Sequence, residues 1–128
     1  MRGKILIIED DRELLKLLAQ RVREEGYEVE TAADGHVGLE MAKLNAPDLV
    51  ISDLAIPKLS GSMVVRILKQ SPKHRRIPIV MLSAFVSPEM HDGVEIPADF
   101  YMSKPFQEGA LMKKIEELIE KNRPQVLA

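Results

Sequence analysis

Ile5-Leu6-Ile7-Ile8-Glu9-Asp10-Asp11 changes character at a single peptide bond: an apolar, β-branched-rich run gives way at once to consecutive carboxylates. A continuous apolar run of this length reads as a strand covered on both faces. The same design recurs in Leu49-Val50-Ile51 before Ser52-Asp53, and in Ile79-Val80-Met81-Leu82 before Ser83. Tyr27 to Thr31 alternates instead, with Glu28 and Glu30 opposite Val29, as an edge strand does. Phe100 to Met102 is the shortest strand candidate.

Helical patterns fill the intervals. Leu14, Leu17, Leu18 and Val22 form one apolar face, and Gly26 supplies a C-terminal stop. Val37, Met41 and Leu44 repeat the pattern up to Asn45-Ala46-Pro47. Val64, Ile67 and Leu68 make a third stripe, closed by Ser71-Pro72. A fourth pattern, Val86 to Ile96, is weak, because Pro88, Gly93 and Pro97 leave room for about two turns. Leu111, Ile115, Leu118 and Ile119 make the last stripe, with Lys113, Lys114, Glu116, Glu117 and Lys121 covering its far side. Five strands alternating with helices predict a parallel sheet wound on both faces by right-handed crossovers.

The composition narrows the function classes. A chain of 128 residues, 45% apolar, suits one domain with its own core. The absence of cysteine excludes a disulfide scaffold and thiolate zinc, and fits a cytoplasmic setting. Eighteen basic against twenty acidic residues give no electrostatic case for wholesale nucleic-acid binding. No apolar run approaches the roughly 18 residues of a membrane helix, so membrane insertion is not expected. The expected boundaries are a domain over 1–122 and a short tail over 123–128, in a monomer or weak dimer.

The polar residues that end the strands are Glu9-Asp10-Asp11, Asp53, Ser83 and Lys104. In an open parallel sheet these ends share one edge, where ligands bind at the point of strand-order reversal. With the first and third strands adjacent, Glu9, Asp10 and Asp53 converge, with no comparable concentration of cations near them in sequence. At about 6 Å and an effective dielectric near 20, each like-charge pair costs about 3 kcal/mol. A positive ligand is therefore expected. Oxygen donors without histidine or thiolate favour Mg²⁺. With an aspartate nucleophile, a hydroxyl and a lysine, the set suits phosphoryl transfer.

Four segments together resemble the response-regulator receiver domain of two-component signalling. They are Ile7-Ile8-Glu9-Asp10-Asp11; Pro47-Asp48-Leu49-Val50-Ile51-Ser52-Asp53-Leu54-Ala55-Ile56-Pro57 with Gly61; Leu82-Ser83-Ala84; and Lys104-Pro105-Phe106. The resemblance runs from Lys4 to about Lys121. It implies a flavodoxin-like, doubly wound (βα)5 three-layer sandwich, with strand order 2-1-3-4-5. It implies that Asp53 accepts phosphate from a phosphohistidine on a sensor histidine kinase or histidine phosphotransfer protein. Asp10 and Asp53 would bind Mg²⁺, Glu9 through water, with the Ala55 carbonyl as a further ligand. Ser83 would hydrogen-bond the phosphoryl group and Lys104 would pair with it, before a cis Lys104-Pro105 bond. Ser83 and Tyr101 would form a switch acting on the face made by 86–96, the fifth strand and 111–121, where a downstream protein partner docks. On this reading the domain is a phosphoacceptor rather than an enzyme, catalysing at most its own phosphorylation and dephosphorylation.

Other readings remain at this stage. Asp11 alone is an N-cap. Lys73-His74-Arg75-Arg76 reads as a solvated loop, and the three histidines lack metal-like spacing. A phosphatase of the haloacid dehalogenase type would carry a second Asp two residues after its nucleophile, where this chain has Ala55. A degenerate receiver would bind partners without phosphate. Ala55, Ile56 and Pro97 depart from the residues common in the resembled family. Ala55 and Phe85 are the candidates for controlling water access, and they predict slow loss of the phosphoryl group.

Overall fold

The computed structural model describes residues 2–83 and 97–122. Its elements alternate: β1 (Lys4–Ile8), α1 (Arg12–Glu24), β2 (Glu28–Ala32), α2 (Gly35–Asn45), β3 (Leu49–Asp53), α3 (Gly61–Gln70), β4 (Ile79–Ser83), β5 (Phe100–Ser103) and α4 (Glu108–Asn122). The strands form one parallel sheet in the order β2-β1-β3-β4-β5. That is the predicted order, and Glu28–Ala32 lies at an edge, as its alternation requires. The expected fourth helix over 86–96, Phe85 and the tail over 123–128 lie outside the described residues.

Strand periodicity divides the core. Ile5, Ile7, Leu49, Ile51, Val80 and Leu82 face one way, onto Leu18, Val22, Leu111 and Ile115 of α1 and α4. Leu6, Ile8, Val50, Ile79 and Met81 face the other, onto Leu39, Ala42, Val64 and Leu68 of α2 and α3. Each central strand is thus buried on both sides, which is why its sequence is continuously apolar. Asp11 caps α1 as predicted, accepting from Glu13 N–H at 3.0 Å and Leu14 N–H at 3.2 Å. No described helix is long and apolar enough to cross a membrane.

Two helical stripes need correction. Leu17 is 52% exposed, while Leu18, Ala19 and Val22 carry the buried face of α1. In α2 the predicted stripe divides: Met41 packs, partly buried, on the α2/α3 side of the core, but Val37 is 44% and Leu44 78% exposed. The buried positions are Gly35, Gly38, Leu39 and Ala42. A Cβ on Gly38 would overlap Ile8 Cδ1, so the helix approaches the sheet through small residues. A pattern search weighted by apolar side chains cannot detect a face made of glycine and alanine.

The basic stretch is also more ordered than expected. Lys73, Arg75 and Arg76 are exposed, but His74 is buried and its Nδ1 lies 2.9 Å from Ser71 Oγ. Lys69 spans this connection, donating to the carbonyls of Arg75 (3.1 Å) and Ile77 (2.9 Å) and to Asp99 Oδ2 (2.7 Å). Asp99 Oδ2 also accepts Ile79 N–H at 2.7 Å, which ties β4 to the start of β5. Truncating Asp99 leaves a buried-side ammonium and a strand amide without that acceptor. Asp99→Ala is expected to cost about 2 kcal/mol in denaturant unfolding; a loss under about 0.5 kcal/mol would refute the staple.

Candidate phosphoryl-transfer site

The C-terminal ends of β1 and β3 are neighbours, with Ile7 opposite Ile51 and Ile8 opposite Ser52. Glu9 continues β1, its N–H donating to Ala32 O at 3.0 Å. Asp53 is the last residue of β3. Glu9, Asp10 and Asp53 each offer a carboxylate oxygen within 4.8 Å of the others. The predicted convergence is present.

The three carboxylates sit in unequal surroundings. Glu9 is 2% exposed, the Asp53 side chain 12%, and Asp10 faces solvent. Glu9 Oε2 accepts Asp11 N–H at 3.2 Å. Asp53 Oδ1 accepts Ala55 N–H at 3.4 Å. Burial pushes the Glu9 carboxyl above the ordinary carboxylate value, against the opposing pull of Lys104 and the Asp11 amide.

Lys104 answers the charge problem. Its Nζ lies 2.8 Å from Glu9 Oε1 and 3.0 Å from Asp53 Oδ2. Its position is set by the backbone: Lys104 N–H donates to Ser83 O at 2.8 Å, extending the β4–β5 ladder by one step. The Lys104-Pro105 bond is cis, as expected from the resemblance. Burial alone would lower the lysine's affinity for its proton, but hydrogen bonds and charge from Glu9 and Asp53 outweigh it and raise the pKa. The ammonium is therefore kept charged at neutral pH. A sequence separation of 95 residues hid the Glu9 partnership from any spacing argument.

The remaining predicted residues divide. Ser83 is buried at the end of β4, level with Ser103. Ala55 is exposed in the loop after β3, where its carbonyl is close in chain to Asp53. Tyr101 is half-buried among the α2/α3 core residues, and its hydroxyl accepts Ala98 N–H at 3.3 Å. Phe85 lies outside the described residues. Sequence reading missed Ser52, which is buried and donates through Oγ to Asp53 O at 2.9 Å. The available signal was a small polar residue set directly between the apolar run of β3 and Asp53.

The donor set fits a hard cation. Three carboxylates against one ammonium leave a formal charge of -2 within a few ångströms, and every side-chain donor in the cluster is oxygen, as Mg²⁺ prefers. At about 5 Å a like-charge pair costs about 1 kcal/mol in water-like dielectric and about 3 kcal/mol near an effective value of 20. Solvent-facing Asp10 belongs toward the lower figure. Asp10→Asn is thus expected to stabilise the domain by about 1 kcal/mol in EDTA, and the gain should vanish in Mg²⁺. Denaturant midpoints with and without the cation decide this; a mutant no more stable than wild type in EDTA would refute the repulsion.

Comparison with known proteins agrees with this geometry. Residues 5–116 match the response regulator receiver domain family. The chain is 34% identical over 125 residues to the alkaline phosphatase synthesis transcriptional regulatory protein PhoP of Bacillus subtilis, covering 95% of this chain and 50% of that one. It spans about half the length of the curated relatives that it matches first. Among solved structures, it superposes with a TM-score of 0.87 on the signal receiver domain of a signal transduction histidine kinase from Syntrophus aciditrophicus. Identity there is 30%, with 98% of this chain and 97% of that one covered. The receiver domain of the sensor histidine kinase PA1611 from Pseudomonas aeruginosa PAO1, described with a magnesium ion coordinated in the active site cleft, gives a TM-score of 0.82 at 26% identity. It covers 92% of this chain and 98% of that one. This chain belongs to the response regulator receiver domain family.

Proposed function

We propose that the domain accepts a phosphoryl group on Asp53 from a phosphohistidine of a sensor histidine kinase or histidine phosphotransfer protein. The observation that carries this reading is the Lys104 ammonium shared between Glu9 and Asp53 beside the acidic cluster. An Asp53 carboxylate oxygen attacks phosphorus and the P–N bond to the imidazole breaks. Its electron pair leaves on the ring nitrogen, which then takes a proton from solvent. The product is an acyl phosphate, more negative than the carboxylate it replaced.

Each residue has a task in that step. Lys104 exchanges part of its pairing with Asp53 for a phosphoryl oxygen, while Glu9 keeps the ammonium in place. Ser83 donates a hydroxyl hydrogen bond to the same group. Glu9 through water, Asp10, Asp53 and the Ala55 carbonyl would hold Mg²⁺; the magnesium ion described in the active site cleft of the Pseudomonas relative supports a cation of this kind, and the acidic cluster supplies its donors. When bound, that ion neutralises charge on the phosphoryl oxygens. Ala55 has no side-chain group to orient a hydrolytic water, so the phosphoryl group should persist, with Phe85 as a second element of water access.

Ser83 and Tyr101 are proposed as the switch. Met81 is level with Tyr101 across the β4–β5 pair, and both pack on the α2/α3 face. Ser83 lies two residues beyond Met81, so strand alternation directs it to that same face. Movement of its hydroxyl toward phosphate would free space for the Tyr101 ring and alter the surface of β5 and α4 for a protein partner. The absence of a second Asp at Ala55 argues against a phosphatase of the haloacid dehalogenase type.

The test is intact mass after incubation with Mg²⁺ and acetyl phosphate. The expected result is a persistent adduct of one phosphoryl group, removed by hydroxylamine and absent in Asp53→Asn. Steady release of inorganic phosphate without an adduct would favour the phosphatase. No reaction in the folded protein, with that small donor or with a phosphohistidine protein, would favour a partner-binding module without phosphate.

A further inference from the structure

The loop between β3 and α3 hangs between two glycines. Gly61, which opens α3, donates its N–H to Leu54 O at 2.9 Å, and a Cβ there would overlap Asp53 O. Gly35, which opens α2, donates its N–H to Pro57 O at 3.1 Å, and a Cβ there would overlap Leu59 O. Both obstacles are backbone carbonyls, so no side chain can swing aside to make room. Between them Lys58 adopts φ +69, and Leu59 N–H closes a three-residue turn onto Pro57 O at 2.8 Å. A non-glycine residue at positive φ in such a turn is strained and persists only where its surroundings hold it.

We infer that Gly35 is a positioning residue for the acidic site: by admitting the Pro57–Leu59 turn against the start of α2, it sets where the Ala55 carbonyl and the Asp53 carboxylate stand. The path is short and continuous. Leu59 O occupies the place a Cβ on residue 35 would take, Pro57 O accepts the Gly35 N–H, and Ala55 lies two residues from Pro57 with its amide on Asp53 Oδ1. Leu54 is fixed on its other side by Leu82 O, which accepts its N–H at 3.2 Å. A displaced turn therefore has to be absorbed at residues 55–57. Gly35 touches neither phosphate nor cation, so it acts only through the loop. The inference rests on the phosphoacceptor reading for its consequence, but not for the coupling itself.

The test compares Gly35→Ala with Asp34→Ala in the full chain. Asp34 caps α2 by accepting Val37 N–H at 2.8 Å, so its loss weakens the same helix without entering the turn. Gly35→Ala should shift the amide resonances of Asp53 to Leu59 and weaken Mg²⁺ binding about tenfold by calorimetry. It should also slow phosphoryl uptake from acetyl phosphate by about tenfold. Asp34→Ala should lower Tm while keeping the Mg²⁺ Kd within about twofold of wild type. A folded Gly35→Ala with unshifted loop amides overturns the inference, as does an equal loss of Mg²⁺ affinity in Asp34→Ala. If Gly35→Ala fails to fold, Lys58→Gly carries the test by relaxing the same turn. A change in the Ala55 amide and the Kd then supports the coupling, and neither changing overturns it. Wild-type protein that takes no phosphate would refute the phosphoacceptor reading alone, because the loop amides still report the coupling.

Discussion

One ammonium group holds the site together. Lys104 reaches from the end of β5 to Glu9 and Asp53, on β1 and β3, and so joins three strand ends that would otherwise present only negative charge. Coulomb repulsion among Glu9, Asp10 and Asp53 makes the edge intolerant of loosening, and the lysine offsets only part of it. The remaining negative charge is what makes the cluster a place for a cation. The stability of the edge and its capacity to bind thus come from the same imbalance.

The fold delivers that lysine through its backbone rather than through its side chain. β5 pairs with β4, and the ladder continues past Ser103 so that Lys104 N–H meets Ser83 O. Asp53 is placed likewise by β3, and Glu9 by its bond to the end of β2. Helices enter where close approach is needed, and there glycine replaces side-chain packing: Gly35 and Gly61 let α2 and α3 press on the loop that carries Ala55. At the opposite edge of the sheet, Lys69 and Asp99 lock the β4 and β5 starts without touching the chemistry.

Most of the sheet was legible in the sequence because its signal is local. Ile5 to Ile8, Leu49 to Ile51 and Ile79 to Leu82 are buried on both faces, and a run of apolar residues is the direct trace of that burial. Asp53, Asp10 and Glu9 were legible because each follows such a run. The face of α2 was not, since Gly38 and Ala42 contribute closeness rather than apolar bulk. Leu17 misled for the related reason that a periodic leucine can sit at the margin of a buried stripe. The Glu9–Lys104 pair and the Lys69–Asp99 staple depend on contacts between segments far apart in the chain, which no local pattern encodes.

The role given to Lys104 has a direct physical signature in the group it faces. Glu9 is buried, so its carboxyl should titrate above the ordinary carboxylate range, and the nearby ammonium should hold that rise in check. Carbon NMR titration of the Glu9 side-chain carboxyl in metal-free buffer, in wild type and in Lys104→Met, measures this. The expected result is a raised midpoint in wild type and a further rise once the ammonium is gone. A Glu9 midpoint unchanged by the loss of Lys104 would contradict the claim that this lysine holds the acidic edge together.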